Sequence, residues 1–576
     1  MRGDYAAYNG RSARRGARTG RQSAGVARRR DMKGSAAIAE VLRREGVEYV
    51  FCFPANQLID AAAAAGIRPI VTRTERTLIN MADAYTRVTN GRRTGVCMVQ
   101  AGPGIENAFG GVAQAYADST PILMLPGQAA RSRLGLPTIF DATAAYRSIT
   151  KWADRITSAA RVPDQMRRAF TLMRAGRPGP VLLETPADVM AEEADDSAFS
   201  YRAVPRLRSA GDPDAVREAV RALLAAKRPL LHVGQGVLWA EATEELREFA
   251  ELVQAPVMTT TLGKSAFPEN HPLAIGSGGT TVSPLVRRFL PEADLVFSVG
   301  AALARTLVSC GIPGRKTMIQ CTVDEKDLAA EYAVDYGVLG DAKLVLQQLC
   351  EEVRRQIGAA GRRGDDRVAA DVASARAAVI EEWMPHLTAD DAPINPYRVV
   401  WDLMQAVDRT QTIVTHDSGN VRDVVSPFYE TLIPRGYIGW GNSTQLGTSL
   451  GMAMGAKLAA PEKLVVNFLG DAAFGMCGMD IETAARLRIP ILTVLINNSV
   501  MGNYESHQPI AVERYNIKQL SGDYAGVARS LGAWAERVEA PSEIMPAIHR
   551  AQEVIATGQP ALLEVITRES PAFSRL

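Results

Sequence analysis

Cysteine and histidine are both scarce in this sequence, which has six of each among its 576 residues. No two cysteines form a Cys-x-x-Cys pair, and no cluster of histidines accompanies them. The sequence therefore gives no sign of a disulfide framework or of a metal site built from cysteine pairs. We expect reduced and mostly buried thiols, as is typical of a cytoplasmic protein.

An excess of one charge and long apolar runs are also lacking. The 65 basic and 63 acidic residues nearly cancel, so the composition gives no general reason to expect nucleic acid or an acidic partner. No apolar run reaches the roughly 20 residues that a membrane-spanning helix requires. We therefore expect neither nucleic acid nor membrane as a partner. Residues 1–32 are rich in Arg, Gly and Ala, and we expect a disordered basic extension there.

From residue 33 onward, short apolar runs typical of buried strands alternate with helical patterns. The strand pattern at Arg68–Thr72, for example, is followed by a helical pattern at Glu75–Thr89. Alternation of this kind predicts a parallel sheet with helices on both faces. The pattern forms three blocks, which predicts an α/β fold with three doubly wound parallel-sheet domains. We place the domains at residues 33–190, 191–350 and 393–576, with a linker at 351–392 that is rich in Gly, Ala and Arg.

The strongest chemical signal is in the third block. Asp471 follows a predicted strand and begins a helix, and Asn498 follows the next strand along the chain. The carboxyl ends of parallel strands share one edge of the sheet, where doubly wound folds bind ligands. A carboxylate oxygen and an amide oxygen suit Mg²⁺, which commonly bridges protein to a diphosphate. The small residues Ala472 and Ala473 leave room for a phosphate to approach the backbone N–H groups at the helix start.

This arrangement resembles the Gly-Asp-Gly and Asn-Asn motif of thiamine-diphosphate-dependent enzymes, and the likeness to acetolactate synthases extends over about residues 33–570. The resemblance implies thiamine diphosphate and Mg²⁺ as cofactors. It implies that Asp471, Asn498 and the backbone carbonyl of Val500 hold the metal. It also implies that the three domains are, in order, a pyrimidine-binding, a central and a diphosphate-binding domain.

Two residues of the first block resemble catalytic residues of that family. Glu75 begins a helix directly after a strand, like the family's glutamate that contacts N1′ of the cofactor's pyrimidine. A carboxylate at that place can exchange a proton with the ring, which is an acid–base role. Gln128 follows Pro126 and Gly127 and resembles a glutamine that reaches the active site.

Other segments resemble the family's cofactor contacts. Thr444 matches a residue whose carbonyl accepts from the 4′-amine, and Leu446 matches an apolar wedge that bends the cofactor. The resemblance implies the following cofactor contacts: Gly102, Gly104, Asn107, Gly419, Asn420, Thr444, Leu446, Gly470, Ala472 and Ala473.

The sequence also departs from the acetolactate synthases. The Arg-Phe-Asp-Asp-Arg segment of the flavin region is replaced by residues 301–305, Ala-Ala-Leu-Ala-Arg. We therefore expect that FAD is not required. After the asparagine pair, Asn503, Tyr504 and His507 occupy positions that line the substrate pocket in relatives, which predicts a more polar pocket.

The resemblance implies an enzyme that decarboxylates a 2-oxo acid and transfers the resulting carbanion to a carbonyl acceptor. One alternative is an enzyme of the 2-hydroxyacyl-CoA lyase or oxalyl-CoA decarboxylase type, which would need a nucleotide site in the central domain and a basic C-terminal lid. Another is a non-catalytic regulatory homologue. The family also implies a homodimer or homotetramer with active sites between subunits.

Overall fold

The computed structural model describes residues 31–195, 199–570 and 572–576. The predicted disorder of the basic extension falls on residues 1–30, which lie outside the described residues. The last two residues of that extension, Asp31 and Met32, belong to a short strand, Asp31–Lys33, which pairs antiparallel with Glu193–Asp195. The predicted boundary at residue 32 therefore falls inside a strand.

The N-terminal domain contains a seven-stranded sheet. Its elements, with the short strand pair included, are β1 Asp31–Lys33, α1 Gly34–Arg44, β2 Tyr49–Phe53, α2 Gln57–Ala64, β3 Arg68–Val71, α3 Glu75–Val88, β4 Gly95–Val99, α4 Pro103–Ala117, β5 Ile122–Met124, β6 Gly127–Gln128, α5 Ala142–Tyr146, β7 Trp152–Arg155, α6 Val162–Arg174, β8 Val181–Pro186, α7 Ala187–Ala191 and β9 Glu193–Asp195. The strand order is β3-β2-β4-β5-β8-β6, and β7 also pairs with β8.

The central domain contains a six-stranded sheet in the order β12-β11-β10-β13-β14-β15. Its elements are α8 Pro213–Ala225, β10 Pro229–Val233, α9 Gly236–Trp239, α10 Thr243–Val253, β11 Val257–Thr260, β12 Ala274–Gly278, α11 Pro284–Glu292, β13 Leu295–Val299, β14 Thr317–Thr322, β15 Tyr336–Leu339 and α12 Ala342–Ile357. The predicted linker is largely helical, because α12 extends to Ile357 and a further helix, α13, covers Arg367–Leu387.

The C-terminal domain contains a second six-stranded sheet, in the order β17-β16-β18-β19-β21-β20. Its elements are α14 Pro396–Ala406, β16 Thr412–His416, α15 Asn420–Phe428, β17 Tyr437–Ile438, α16 Ser449–Ala459, β18 Leu464–Gly470, α17 Asp471–Cys477, α18 Ile481–Leu487, β19 Leu492–Asn497, α19 Tyr504–His507, α20 Pro509–Tyr515, α21 Tyr524–Ser530, β20 Trp534–Val538, α22 Ile544–Ala556 and β21 Ala561–Ile566.

All strand pairs within these three sheets are parallel, which confirms the predicted α/β fold of three parallel-sheet domains. Each sheet lies within one predicted block, and the boundaries between blocks remain predictions. In the C-terminal domain, the chain leaves β16 for β17 on one side and returns to β18 on the other. This reversal opens a crevice at the carboxyl ends of β16 and β18, where such folds bind ligands.

The N-terminal and C-terminal domains share a hydrophobic core. Helix α3 packs closely against α16, because two glycines of α16 face it. A Cβ at Gly455 would lie 2.1 Å from the carbonyl oxygen of Met81, and one at Gly451 would lie 2.7 Å from the Cβ of Asn80. Larger residues at either position would push the two domains apart.

The six cysteines are free thiols, and all but the half-buried Cys310 are buried, as predicted. Among the described residues, no helix combines the length and apolar character needed to cross a membrane.

Candidate active site

Asp471 lies at the carboxyl edge of the C-terminal sheet, as the first residue of α17. Its carboxylate accepts from two backbone N–H groups, that of Ala472 at 2.7 Å and that of Ser499 at 2.8 Å. Ser499 follows β19, so the carboxylate joins the ends of β18 and β19. Burial raises the pKa of Asp471, while these hydrogen bonds act to lower it.

The two asparagines after β19 have different surroundings. Asn497 is buried and donates to Glu564 Oε1 on the neighbouring strand at 2.8 Å, so its amide supports the sheet. Asn498 is half-buried, and its Oδ1 accepts from the backbone N–H of Val500 at 3.2 Å. The structure thus brings the three predicted metal-binding residues to one turn and the adjacent end of β18.

The turn after β16 lies beside this group. Gly419 adopts a positive φ of 75°, and apart from its two chain neighbours no described residue has a heavy atom within 4 Å of the position that a Cβ would take. Asn420 Oδ1 is buried but accepts no hydrogen bond from any described residue. A Cβ at Gly502 would lie 2.6 Å from Asn420 Nδ2, so the segment after β19 packs against this turn. The turn therefore offers open space and an unused polar atom, and Asn420 lines a small cavity together with Asn498.

Asp417 organises the loop that carries Thr444 and Leu446, and sequence reasoning missed it. Its carboxylate accepts from the backbone N–H groups of Gly447, Thr448 and Ser449 at 2.9–3.0 Å. Asp417 is completely buried. The only sequence signal was an aspartate directly after a strand, and its partners lie some 30 residues away.

The two predicted contacts on that loop are close to Asp417. The carbonyl of Thr444 accepts from Ser418 Oγ at 3.3 Å. Leu446 packs against the shared core, and its carbonyl accepts from Arg76 Nη1 at 3.1 Å. Arg76 directly follows Glu75, so the loop contacts the first turn of α3 across the domain boundary.

Glu75 is buried at the start of α3, where Thr74 forms the N-cap. Its carboxylate faces the first turns of α4. Asn107 Nδ2 lies 3.5 Å from Glu75 Oε2, and Oε1 lies 3.6 Å from the position of a Cβ at Gly104. Gly102, at the N-cap of α4, has a φ of 68°. The structure therefore groups Glu75 with Gly104 and Asn107, two of the predicted cofactor contacts, at the start of α4.

Gln128 is held by other parts of its own domain. Its Nε2 donates to Glu184 Oε1 and to the carbonyl of Phe140, both at 2.9 Å. Its Oε1 accepts from the backbone N–H of Ala129 at 2.7 Å. Both N–H groups of the amide are thus engaged, so any contact that Gln128 makes with a substrate would use the remaining lone pair of Oε1.

The predicted substrate-pocket residues lie on an exposed segment that follows the metal-binding turn. Asn503 precedes α19, and its carbonyl oxygen lies 2.9 Å from His507 Nδ1. Tyr504 is half-buried, whereas Asn503 and His507 are exposed. The base of the segment is closed by the hydrogen bond from Met501 N to the carbonyl of Lys518 at 2.7 Å.

The oxygen atoms around Asp471 suit a hard cation that takes some of its ligands from the protein and the rest from a bound anion. The described residues hold no group of three or more His, Cys, Asp or Glu side chains that could hold a metal by themselves. Asp471, Asn498 and the carbonyl of Val500 supply oxygen only, as Mg²⁺ prefers, and leave other coordination positions for a ligand's oxygens. The space at Gly419 suits that ligand.

The central domain has its own cleft, at the carboxyl ends of β10 and β13 where the strand order reverses. It is lined by Gly234, Gly300 and the side chains of Arg177 and Arg206, among others. Residues 301–304, from the segment that departs from the flavin region of relatives, also line this cleft.

Comparison with known proteins adds independent information. Profiles described as thiamine pyrophosphate enzyme domains match three parts of the chain: the N-terminal TPP binding domain matches residues 32–149, the central domain 216–349 and the C-terminal TPP binding domain 417–565. Thiamine pyrophosphate is another name for thiamine diphosphate.

The chain is also similar to curated proteins over nearly its whole length. It is 30% identical to a probable acetolactate synthase large subunit of Methanococcus aeolicus, over 94% of this chain and 93% of the relative. It is 31% identical to a glyoxylate carboligase of Escherichia coli O157:H7, over 93% of each. An acetolactate synthase large subunit of Corynebacterium glutamicum is 29% identical, over 93% of this chain and 87% of the relative.

Proposed function

This chain belongs to the family of thiamine pyrophosphate enzymes, and we propose that within it the chain is a carboligase or lyase that decarboxylates a 2-oxo acid and transfers the remaining acyl unit to a carbonyl acceptor. The printed names of its relatives, acetolactate synthase and glyoxylate carboligase, support a carboligase. The choice of donor is proposed separately below.

The surroundings of Asp471 are the main support for binding of Mg²⁺ and thiamine diphosphate. Its carboxylate is buried and meets backbone N–H groups, and no basic side chain among the described residues forms an ion pair with it. A buried carboxylate without a counter-charge is unfavourable. Mg²⁺ held by Asp471, Asn498 and the carbonyl of Val500 would supply that charge and bind the diphosphate of the cofactor.

When bound, thiamine diphosphate supplies a thiazolium carbon, C2, that adds to 2-oxo acids once it has lost its proton. Glu75 would exchange a proton with N1′ of the pyrimidine, and Asn107 would hold the Glu75 carboxylate in place. Leu446 would support the bent form of the cofactor, on the loop that Asp417 fixes. Gly419 and Asn420 would border the diphosphate.

We propose a small polar 2-oxo acid as the donor. Asn503, Tyr504 and His507 follow the metal-binding turn and offer hydrogen-bonding groups where an apolar pocket would have none. Glyoxylate, which the name of one relative contains, and pyruvate, as another small 2-oxo acid, are the first compounds to test.

The alternative of a 2-hydroxyacyl-CoA lyase or oxalyl-CoA decarboxylase type is less well supported. It would need a basic lid from the C-terminal residues. Those residues are instead tied to the body of the protein, since Tyr397 donates to the carbonyl of Ala572 at 2.7 Å and Val282 N donates to that of Ser574 at 2.9 Å. The presence of Glu75, Asp471 and Asn498 argues against a non-catalytic homologue.

We also propose that the enzyme is a homodimer, or a tetramer built from dimers, with active sites between subunits. Apolar side chains lie exposed beside both halves of the candidate site: Phe109 on α4 is 38% exposed, Met476 on α17 47%, and Met479 just beyond it 56%. A surface of this kind beside a functional site favours contact with another protein surface. A second copy of the chain would cover it.

A screen of 2-oxo acids tests the proposed reaction. Purified protein with Mg²⁺ and thiamine diphosphate is incubated with pyruvate, glyoxylate and longer 2-oxo acids, and CO₂ release and products are measured. We expect cofactor-dependent CO₂ release with a carboligation product. Failure of all 2-oxo acids to release CO₂ would contradict the proposal.

A further inference from the structure

Asp480 is a buried carboxylate that the proposed reaction does not use. It lies in the short turn Gly478–Asp480 that follows α17, and it is fully buried. Its oxygens accept from the N-terminal domain rather than from solvent: Thr77 Oγ1 at 2.6 Å and the backbone N–H of Arg73 at 2.8 Å. Thr483 Oγ1 donates to it from the C-terminal domain at 2.9 Å.

These contacts are concentrated at the start of α3, the helix that Glu75 begins. Thr74 is the N-cap of α3, and its hydroxyl lies 3.4 Å from Asp480 Oδ2. An anionic acceptor at a helix N-terminus is stabilised by the unpaired N–H groups and by the helix dipole. Asp480 therefore places an anionic acceptor from another domain at the N-terminus of α3, where it holds Arg73, Thr74 and Thr77.

Two neighbouring contacts hold the segment that leads into α3. Arg486 Nη2 donates to the carbonyl of Val71 at 2.7 Å, and Arg73 Nε lies 3.0 Å from Glu482 Oε2. The stretch from Val71 to Thr77 is thus attached at several points to residues 480–486. Glu75, within that stretch, points instead toward Asn107 and Gly104 on α4.

We propose that Asp480 is a positioning residue: by holding the first turn of α3, it fixes the direction in which Glu75 presents its carboxylate. This inference rests on the proposed function, in which Glu75 exchanges a proton with the cofactor. The direction of a side chain in the first helical turn follows from the backbone of that turn. Small displacements of catalytic groups are costly, up to about 10²-fold in rate for 1 Å.

A pair of substitutions at Thr77 separates the hydrogen bond from packing. Thr77→Val keeps the shape of the side chain, including the methyl group that faces Gly451, but removes the hydroxyl that donates to Asp480. Thr77→Ser keeps the hydroxyl. Asp480→Asn tests the other side of the contact. Glu482→Gln is the control, because it weakens the more exposed ion pairs with Arg73 and Arg486 and leaves the hydrogen bonds to Asp480 in place.

Three quantities are measured for each variant. Amide hydrogen exchange of the peptide over residues 72–79 is followed in the protein without cofactor. The affinity for thiamine diphosphate with Mg²⁺ is determined by calorimetry. Exchange of the C2 proton of the bound cofactor is followed by NMR.

In Thr77→Val and Asp480→Asn, we expect faster amide exchange over residues 72–79 and C2-proton exchange slowed by roughly 10-fold or more. Cofactor affinity should stay within roughly 2-fold of wild type, because the diphosphate contacts are elsewhere. Thr77→Ser and Glu482→Gln should behave like wild type.

Wild-type C2-proton exchange in both Thr77→Val and Asp480→Asn would overturn the inference and leave the proposed function standing. A parallel loss of cofactor affinity and C2-proton exchange would also overturn it, since Asp480 would then only hold the fold together. A wild-type protein that binds no thiamine diphosphate would overturn both proposals.

Discussion

The carboxylate of Asp471 lies 2.8 Å from the backbone N–H of Ser499, so the ends of two neighbouring strands meet at one buried acidic group. Asp471 begins the helix after β18, and Ser499 follows the two asparagines after β19. The predicted metal site therefore has its main ligand already oriented by the backbone.

We predict that Asp471→Asn abolishes retention of thiamine diphosphate. The amide keeps the size of the carboxylate but lacks its charge, so Mg²⁺ would lose its only anionic protein ligand. Calorimetric titration with the cofactor in the presence of Mg²⁺ measures the effect. Asp408→Asn, an exposed change in the same domain, is the control and should bind normally. Equal affinity of wild type and Asp471→Asn would show that the metal assignment is wrong.

The assembly can be tested through the exposed apolar side chains beside the site. We expect light scattering to give a dimeric or tetrameric mass for wild type. In the double variant Phe109→Glu/Met479→Glu we expect a shift toward the monomeric mass and a loss of activity, because charges would enter the proposed contact between subunits. Leu207→Glu changes an exposed apolar residue of another segment and should keep the mass of wild type. Full activity at a monomeric mass would refute the proposal.

We predict that the enzyme works without flavin. Of the charged groups in the Arg-Phe-Asp-Asp-Arg segment of acetolactate synthases, residues 301–305 keep only the last, Arg305, and the uncharged residues 301–304 line the central cleft. The absorbance spectrum of the purified protein and its activity with and without added FAD are the relevant measurements. A yellow protein that loses activity when its flavin is removed would contradict this prediction.

Stability should fall in mild acid partly because of His232. Burial lowers the pKa of this histidine from its usual 6.5 to about 4. Below pH 6.5 the His232 side chain is protonated in the unfolded chain but stays neutral in the folded protein. The free energy of unfolding therefore decreases as the pH falls toward 4. The shift corresponds to about 3 kcal/mol. Thermal unfolding between pH 7 and 4 should show a shallower decline for His232→Asn than for wild type. The exposed His549→Asn should leave the profile unchanged, and identical profiles for all three proteins would exclude this role.

The sequence was sufficient to predict the fold class, because buried strands such as β13 and β19 leave short, mostly apolar runs between helical patterns. It did not reveal the short strands Gly127–Gln128 and Tyr437–Ile438, which contribute only two residues each. Helix α2 begins at Gln57, because Asn56 caps it by accepting from the N–H of Leu58.

The candidate site also contains some residues that could be predicted from the sequence and others that could not. Asp471 and Asn498 could be proposed together because each follows a strand of one sheet. The supporting roles of Asp480 and Arg76 could not, since their partners Thr77 and Leu446 are several hundred positions away and in another domain. Contacts between domains leave no periodic pattern in a single sequence.

The central claim is that Glu75 exchanges the proton on which the chemistry of the cofactor depends, and Glu75→Gln tests it most directly. The variant keeps the size of the side chain and its hydrogen bonding to Asn107, but it cannot exchange a proton. We measure cofactor affinity and the rate of C2-proton exchange of bound thiamine diphosphate by NMR. The account predicts near-normal affinity, because the diphosphate contacts are in the C-terminal domain, and an exchange rate lowered by ~10²–10⁴-fold. Wild-type exchange and turnover in Glu75→Gln would contradict it.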